Sequence, residues 1–191
     1  MKISDSKPWS DFVYKLLYPG ILGSMIYGLS DTLVHSSSFG WFSVAQLSIV
    51  VLFVTDYMHI HNDLKVAKHG HNGKSGIRGS FVLDAIIAIA FGVVYSFWQS
   101  TDKDMAFISL VIVMGMILIY QCPRKWGETI YFIGRSFPFV FSLIAFIVVV
   151  FFPAWISVNA EVYQSLAIAF ISFCYAINVF VFTEIAKRGP N

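Results

Sequence analysis

The side chains most able to do chemistry in this chain are ionisable and amide groups near the edges of long apolar runs. Asp56 ends one such run, and Asp84 lies about one turn into the next predicted helix. His59 follows Asp56 by one helical turn on nearly the same face, and Gln46 lies deeper in that helix. Charged groups are costly inside a bilayer, and a histidine beside a carboxylate can exchange protons near neutral pH. We therefore interpret these four residues as candidates for an ion pathway, with Asp56, His59 and Asp84 at its inner mouth.

A structural role for the two carboxylates is the alternative interpretation. Asp56 and Asp84 could pair with Lys65, with Arg78 or with water at the level of the lipid headgroups. Such pairs would stabilise the ends of two helices and would have no part in transport.

The segment 60–79 is rich in basic residues, glycine and histidine, and we predict a cytoplasmic loop there. Its cations could bind anionic lipid headgroups or an acidic partner: Lys65, Lys68, Lys74 and Arg78. Two His-x-His pairs begin at its edge, and imidazoles can ligate zinc or nickel. Because His-x-His in a loop is unspecific, we expect no metal site and regard these residues only as weak candidates: His59, His61, His69 and His71.

The composition indicates the elements that must position these residues. Hydrophobic residues make up 57% of the 191 residues and charged residues 13%, against roughly 25% charged in a soluble domain. A membrane-crossing helix needs about 20 mostly apolar residues. Six intervals approach that length: 16–30, 36–55, 85–101, 105–122, 138–153 and 162–183. We predict an all-α integral membrane protein of five to six, most simply six, transmembrane helices, forming one polytopic domain over 1–191 as an antiparallel helical bundle.

The distribution of basic residues predicts the orientation of this bundle. Of the 13 Lys and Arg residues, all except Lys103 fall in segments on one side of the predicted membrane. Cytoplasmic segments carry the excess of basic residues in membrane proteins. We therefore expect both termini in the cytoplasm, in a plasma or inner membrane.

Small residues spaced by four allow helix backbones to approach closely in lipid. The first and third predicted helices each carry such a stripe: Gly20, Ser24 and Gly28, and Ala88, Gly92 and Ser96. These stripes predict close helix packing, either within one chain or between the chains of a homo-oligomer.

Two functional hypotheses follow from these observations. The residues match no catalytic site, so we expect no enzyme, no catalytic residue, no cofactor and no direct nucleic-acid binding. The first hypothesis is a non-enzymatic, self-associating membrane subunit that presents its basic face to a cytosolic protein partner. It would be an anchor, a sensor or a partner-gated pore, as in stress or defence systems. The alternative is a small proton or cation channel or transporter that uses Asp56, His59 and Asp84.

Overall fold

The computed structural model describes residues 11–35, 39–69, 80–100, 102–120, 129–153 and 159–182. Within these ranges the side chains of 61–69, 80–81, 120, 129–135 and 182 are not described. Every regular element in the described ranges is helical, which confirms the predicted all-α class. Helix α1 comprises a π-helical turn, Val13–Leu17, and an α-helix, Tyr18–His35. The remaining helices are α2 (Trp41–His69), α3 (Ser80–Gln99), α4 (Lys103–Tyr120), α5 (Thr129–Phe151) and α6 (Ala160–Ile177), which ends in a π-helical turn, Asn178–Phe182.

Three helices of the described chain are long and apolar enough to cross a membrane. These segments are Trp41–Ile60 in α2, Val82–Gln99 in α3 and Ala160–Val181 in α6. The apolar part of α5, Ser136–Phe151, is shorter. These three helices agree with the prediction of a membrane protein. The other three of the six predicted transmembrane helices remain a prediction.

Two helix boundaries differ from the sequence-based expectation. Helix α2 continues to His69, so residues 60–69 of the predicted loop are helical, and 70–79 lie outside the described residues. Helix α5 begins at Thr129 and contains Pro138 in its interior, whereas the predicted span began at that proline. A proline removes one backbone hydrogen bond from a helix, but neighbouring helices in a bundle can compensate for it.

The helices pack as a ring of five with α1 on its outside. Helices α2 to α6 contact one another in chain order, and the ring closes through an extensive contact between α2 and α6, while α1 lies against α2 and α3. Two hydrogen bonds set the register of α2 and α6: Ser172 Oγ to the Ser48 carbonyl at 2.9 Å, and Tyr175 Oη to Asp56 Oδ1 at 2.6 Å. Both helices therefore run in the same direction, whereas neighbours in sequence pack as antiparallel hairpins.

The predicted small-residue stripes contribute to packing between α1 and α3. A Cβ on Gly28 would overlap the Gln99 side-chain amide and approach the Tyr95 ring to 3.1 Å, so α3 side chains pack directly against the α1 backbone there. A Cβ on Gly92 would lie 3.5 Å from Ile21. Ala88 is fully buried. The other three stripe residues are more exposed: Gly20, Ser24 and Ser96. The stripes therefore serve packing within one chain at their buried positions, and self-association remains a prediction.

Candidate functional site

Asp56 and Asp84 lie in the protein interior, at the same end of the bundle. Asp56 on α2 is 3% exposed and Asp84 on α3 is 2% exposed. The hydroxyl of Tyr18 on α1 lies 3.4 Å from Asp56 Oδ2 and 3.2 Å from the backbone carbonyl oxygen of Asp84. The structure thus brings the two predicted carboxylate residues to one shared hydroxyl. His59, one turn beyond Asp56, is also buried.

Two tyrosines, on α6 and α1, donate hydrogen bonds to the carboxylate oxygens. Tyr175 on α6 donates to Asp56 Oδ1 at 2.6 Å. Tyr14 on α1 donates to Asp84 Oδ2. We call Asp56, Asp84, Tyr14, Tyr18 and Tyr175 the carboxylate–tyrosine cluster. Because its members come from α1, α2, α3 and α6, the cluster ties four helices together at one end of the bundle.

A π-helical turn in α1 positions the first two tyrosines. Pro19 has no backbone N–H, and its ring crowds the carbonyl four residues earlier, so the preceding turn cannot keep regular α-helical bonding. The Tyr18 N–H instead bonds to the Val13 carbonyl, five residues back. The rings of Tyr14 and Tyr18 lie 6.3 Å apart and stack, so both tyrosines face the cluster. Tyr57 on α2 donates to the Tyr14 carbonyl at 3.2 Å and fixes this turn against α2.

Aromatic packing holds the Tyr18 ring in place. Its centroid lies 5.2 Å from that of Phe53 and 5.1 Å from that of Tyr57. Phe53 in turn packs edge-on against Phe91 of α3, with the ring centroids 5.8 Å apart. The shared hydroxyl between the two aspartates is therefore set by a rigid aromatic stack.

A second π-helical turn follows the third tyrosine of the cluster. Tyr175 occupies the last turn of the α-helical part of α6, and Asn178 begins the π-helical turn. Asn178 is 2% exposed, and neither atom of its side-chain amide has a hydrogen-bond partner among the described residues. Buried amides without a protein partner usually bind ordered water. π-Helical turns often occur at functional sites, and here one adjoins the cluster on each of two helices.

The other predicted site residues have different outcomes. Gln46 is fully buried, and both polar atoms of its amide lack a partner within the described chain. Lys65 and Lys68 lie on the helical backbone of α2, but their side chains are not described. Lys74 and Arg78 fall outside the described residues.

The histidine-rich segment is only partly described. The side chains of His61 and His69 are not described, and His71 lies outside the described ranges. Among the residues that the structure does describe, no group of three His, Cys, Asp or Glu side chains could hold a metal ion. Any metal binding by His59 together with these residues stays a weak prediction.

The three tyrosines of the cluster were not predicted from the sequence. Tyr14 and Tyr18 are four residues apart, which places them on one face of a helix near the expected membrane edge. That spacing could have identified them as a pair. Tyr175 carries no such local indication, because its partner Asp56 is 119 positions away in the chain.

A basic residue lies at the opposite end of the bundle, at the start of α4. Lys103 Nζ is 4.5 Å from the centroid of the Phe42 ring and 4.1 Å from that of Trp98, and it donates a hydrogen bond to the Trp98 carbonyl. Burial lowers the pKa of the Lys103 amine to about 8, and the negative charge of Glu161 opposes this shift. The amine therefore joins the ends of α2, α3 and α4.

Comparisons of the chain with models of protein families, with curated proteins and with solved structures find no match.

Proposed function

We propose that this chain is a six-span membrane protein with both termini in the cytoplasm, and that it exchanges a proton or a small cation at the carboxylate–tyrosine cluster. It is then a small channel or transporter in a plasma or inner membrane. The proposal is the second of the two hypotheses from the sequence, and the burial of Asp56 and Asp84 supports it above the first.

The burial of two carboxyl groups is the single observation that supports this function most. Asp56 and Asp84 are almost completely buried. Removing an ionised carboxylate from water costs several kcal/mol even after the protein relaxes, roughly 2.5–3.5 kcal/mol at the centre of a membrane helix. The hydrogen bonds of the cluster tie four helices together, but well-packed apolar side chains could do this without burying two carboxyl groups. A protein that exchanges a cation needs a buried anionic group of this kind.

The position of the cluster also supports an ion pathway. Asp56 lies near the end of the spanning segment Trp41–Ile60, and Asp84 near the start of Val82–Gln99. With the proposed orientation, both carboxyl groups lie at the cytoplasmic end of the spans. A cation could reach them from the cytoplasm without crossing the apolar interior, as expected for an inner mouth.

The first hypothesis, a self-associating subunit with a cytosolic protein partner, remains the competing proposal. It depends on Lys65, Lys68, Lys74 and Arg78, whose side chains lie outside the described part of the structure. Under that hypothesis, neutralising these four residues releases the partner, and replacing the aspartates changes little.

Ion flux through the purified protein in liposomes, scanned over about pH 5–8, tests the proposed function. The variants are Asp56→Asn and Asp84→Asn. Asp31→Asn is the matched control, because the Asp31 side chain is 57% exposed and pairs with His35 on the surface of α1. We expect proton or cation flux from the wild type and the control, and a loss of flux in the two cluster variants.

Two results contradict the proposal. An absence of flux for protons, K⁺, Na⁺ and Cl⁻ excludes a channel that conducts ions without a partner, and it favours the hypothesis of a partner-binding subunit. Undiminished flux in Asp56→Asn shows that ions pass without using the cluster.

A further inference from the structure

Tyrosine hydroxyl groups in the cluster donate hydrogen bonds to oxygens of both carboxylates. The Tyr175 hydroxyl donates to Asp56 Oδ1 at 2.6 Å, and the Tyr14 hydroxyl donates to Asp84 Oδ2. Metal cations need several oxygen lone pairs directed at one point: six to eight for Ca²⁺, and an octahedron for Mg²⁺. A carboxylate that accepts tyrosine hydrogens presents fewer lone pairs to a metal ion. A proton needs only one oxygen lone pair.

The Tyr18 hydroxyl can adapt to a change in the charge of Asp56. It has one hydrogen and two acceptors within reach, Asp56 Oδ2 at 3.4 Å and the Asp84 carbonyl at 3.2 Å. Its hydrogen can point to Asp56 when that carboxylate is ionised. When Oδ2 takes up a proton, the hydrogen can turn to the Asp84 carbonyl, and the new O–H can donate to Tyr18. The proton comes from a hydronium ion: one of its O–H bonds breaks and leaves water, and one O–H bond forms at Asp56 Oδ2. The charge of Asp56 changes from −1 to 0, and Tyr18 keeps its own hydrogen.

Asn178 gives an independent indication of a ligand beside the cluster. It follows Tyr175 by three residues, and therefore lies about one turn further along α6. Ser172 is hydrogen-bonded to Ser48, so these two residues lie at the same depth. Six residues, or about 9 Å, further along the two parallel helices, Asn178 lies at the depth of Val54, which is less than one turn from the level of Asp56. Its buried amide has no partner among the described residues, so its chemistry favours a bound water there.

We infer that the cation exchanged at this cluster is the proton, and that a water molecule held by the Asn178 amide carries it to Asp56. The inference rests on the proposed function for the role of the cluster in transport, but the protonation of Asp56 can be measured without transport. Among the described residues, the titratable groups near Asp56 come from its own helix and from the three helices that pack most against α2. They are Tyr57 and His59, then Tyr14 and Tyr18 on α1, Asp84 on α3 and Tyr175 on α6.

Infrared difference spectroscopy on the full chain in detergent tests which species binds. We expect acidification to produce a protonated-carboxyl band that is absent in Asp56→Asn. Adding Na⁺, K⁺, Mg²⁺ or Ca²⁺ should leave this band unchanged. A band that one of these metal ions suppresses overturns the inference, and so does the absence of any band that depends on Asp56.

Proton flux in liposomes tests the role of Asn178. Asn178→Leu keeps the branched shape of the side chain and removes the groups that bind water, so we expect proton flux to fall about tenfold or more while the Asp56 band remains. Asn178→Ser keeps a water-binding hydroxyl and should recover much of that flux. Equal flux in the wild type, Asn178→Leu and Asn178→Ser overturns the water route.

The two measurements separate this inference from the proposed function. An Asp56 band without any flux in the wild type contradicts transport and supports the proton as the bound species. Flux of Na⁺ or K⁺ without proton flux supports transport and overturns the inference.

Discussion

Replacing Tyr175 with phenylalanine isolates the hydrogen bond that holds Asp56. The substitution keeps the ring, which is buried against α2, and removes only the hydroxyl that donates to Asp56 Oδ1 at 2.6 Å. Tyr95→Phe is the matched control, since the Tyr95 hydroxyl is also buried but donates to a neutral acceptor, the Met25 carbonyl, at 2.8 Å. The two variants differ in the charge of the acceptor that loses its partner.

The expected difference in stability follows from that charge. A hydrogen bond between neutral groups in a membrane protein contributes about 0.6 kcal/mol on average, with a maximum of about 1.7 kcal/mol. A hydrogen bond to a charged group contributes about 1.5–3 kcal/mol, and a buried charge that loses its donor carries an added desolvation penalty. We expect Tyr95→Phe to lower the free energy of unfolding by about 0.6 kcal/mol and Tyr175→Phe by at least about 1.5 kcal/mol.

Denaturant titration of the purified protein in mixed micelles, followed by circular dichroism at neutral pH, measures both values. The control must retain the helical content of the wild type. Equal losses of unfolding free energy in Tyr175→Phe and Tyr95→Phe would contradict a charged carboxylate at Asp56, because Asp56 would then behave as a neutral acceptor.

Three further predictions concern other parts of the bundle. Gly28→Ala should lower the free energy of unfolding by about 1 kcal/mol relative to Gly23→Ala, because its Cβ would press on the buried Tyr95 ring at 3.1 Å, whereas nothing lies within 4 Å of a Cβ at Gly23; equal changes in the same titration would contradict tight packing at Gly28. The pKa of Lys103 is about 8 in the folded state and 10.5 ordinarily, so the unfolded state binds more protons between these two pH values. The free energy of unfolding should therefore rise with pH from about 8 to 10.5, and Lys103→Met should abolish this rise. Gln46→Leu should lower the free energy of unfolding by about 1 kcal/mol, because the buried amide has no partner in the described chain and the substitution removes its hydrogen bonds to ordered water; a gain of stability would indicate that the amide binds no water.

The helical class and the position of Asp56 near Asp84 were predictable from the sequence. Apolar runs of membrane length can satisfy their backbone groups only as helices when protein or lipid surrounds them. Two consecutive helices joined by one connection must return to a similar depth, which is why Asp56 and Asp84 could be placed together. Both arguments use local composition and chain order alone.

The architecture around the carboxylates could not be predicted in the same way. The parallel contact between α2 and α6 joins helices that are distant in the chain, and composition does not encode which helices become neighbours. Tyr175 therefore gave no indication that it bonds to Asp56. The π-helical turn at Val13–Leu17 has a local cause in Pro19, but its consequence, two tyrosines facing one cluster, depends on how α1 lies against α2 and α3.

The role of Asp56 in proton transport is tested most directly by comparing the initial proton flux of Asp56→Asn with that of the wild type. The two fluxes are measured in liposomes of the same protein content and under the same pH gradient, and their ratio is the quantity of interest. The Asp31→Asn variant corrects for changes in insertion and orientation. We expect a ratio of about 0.1 or lower for Asp56→Asn, because its buried proton-binding group is removed, and a ratio near one for the exposed control. A ratio near one for both variants would contradict the claim that Asp56 exchanges the transported proton.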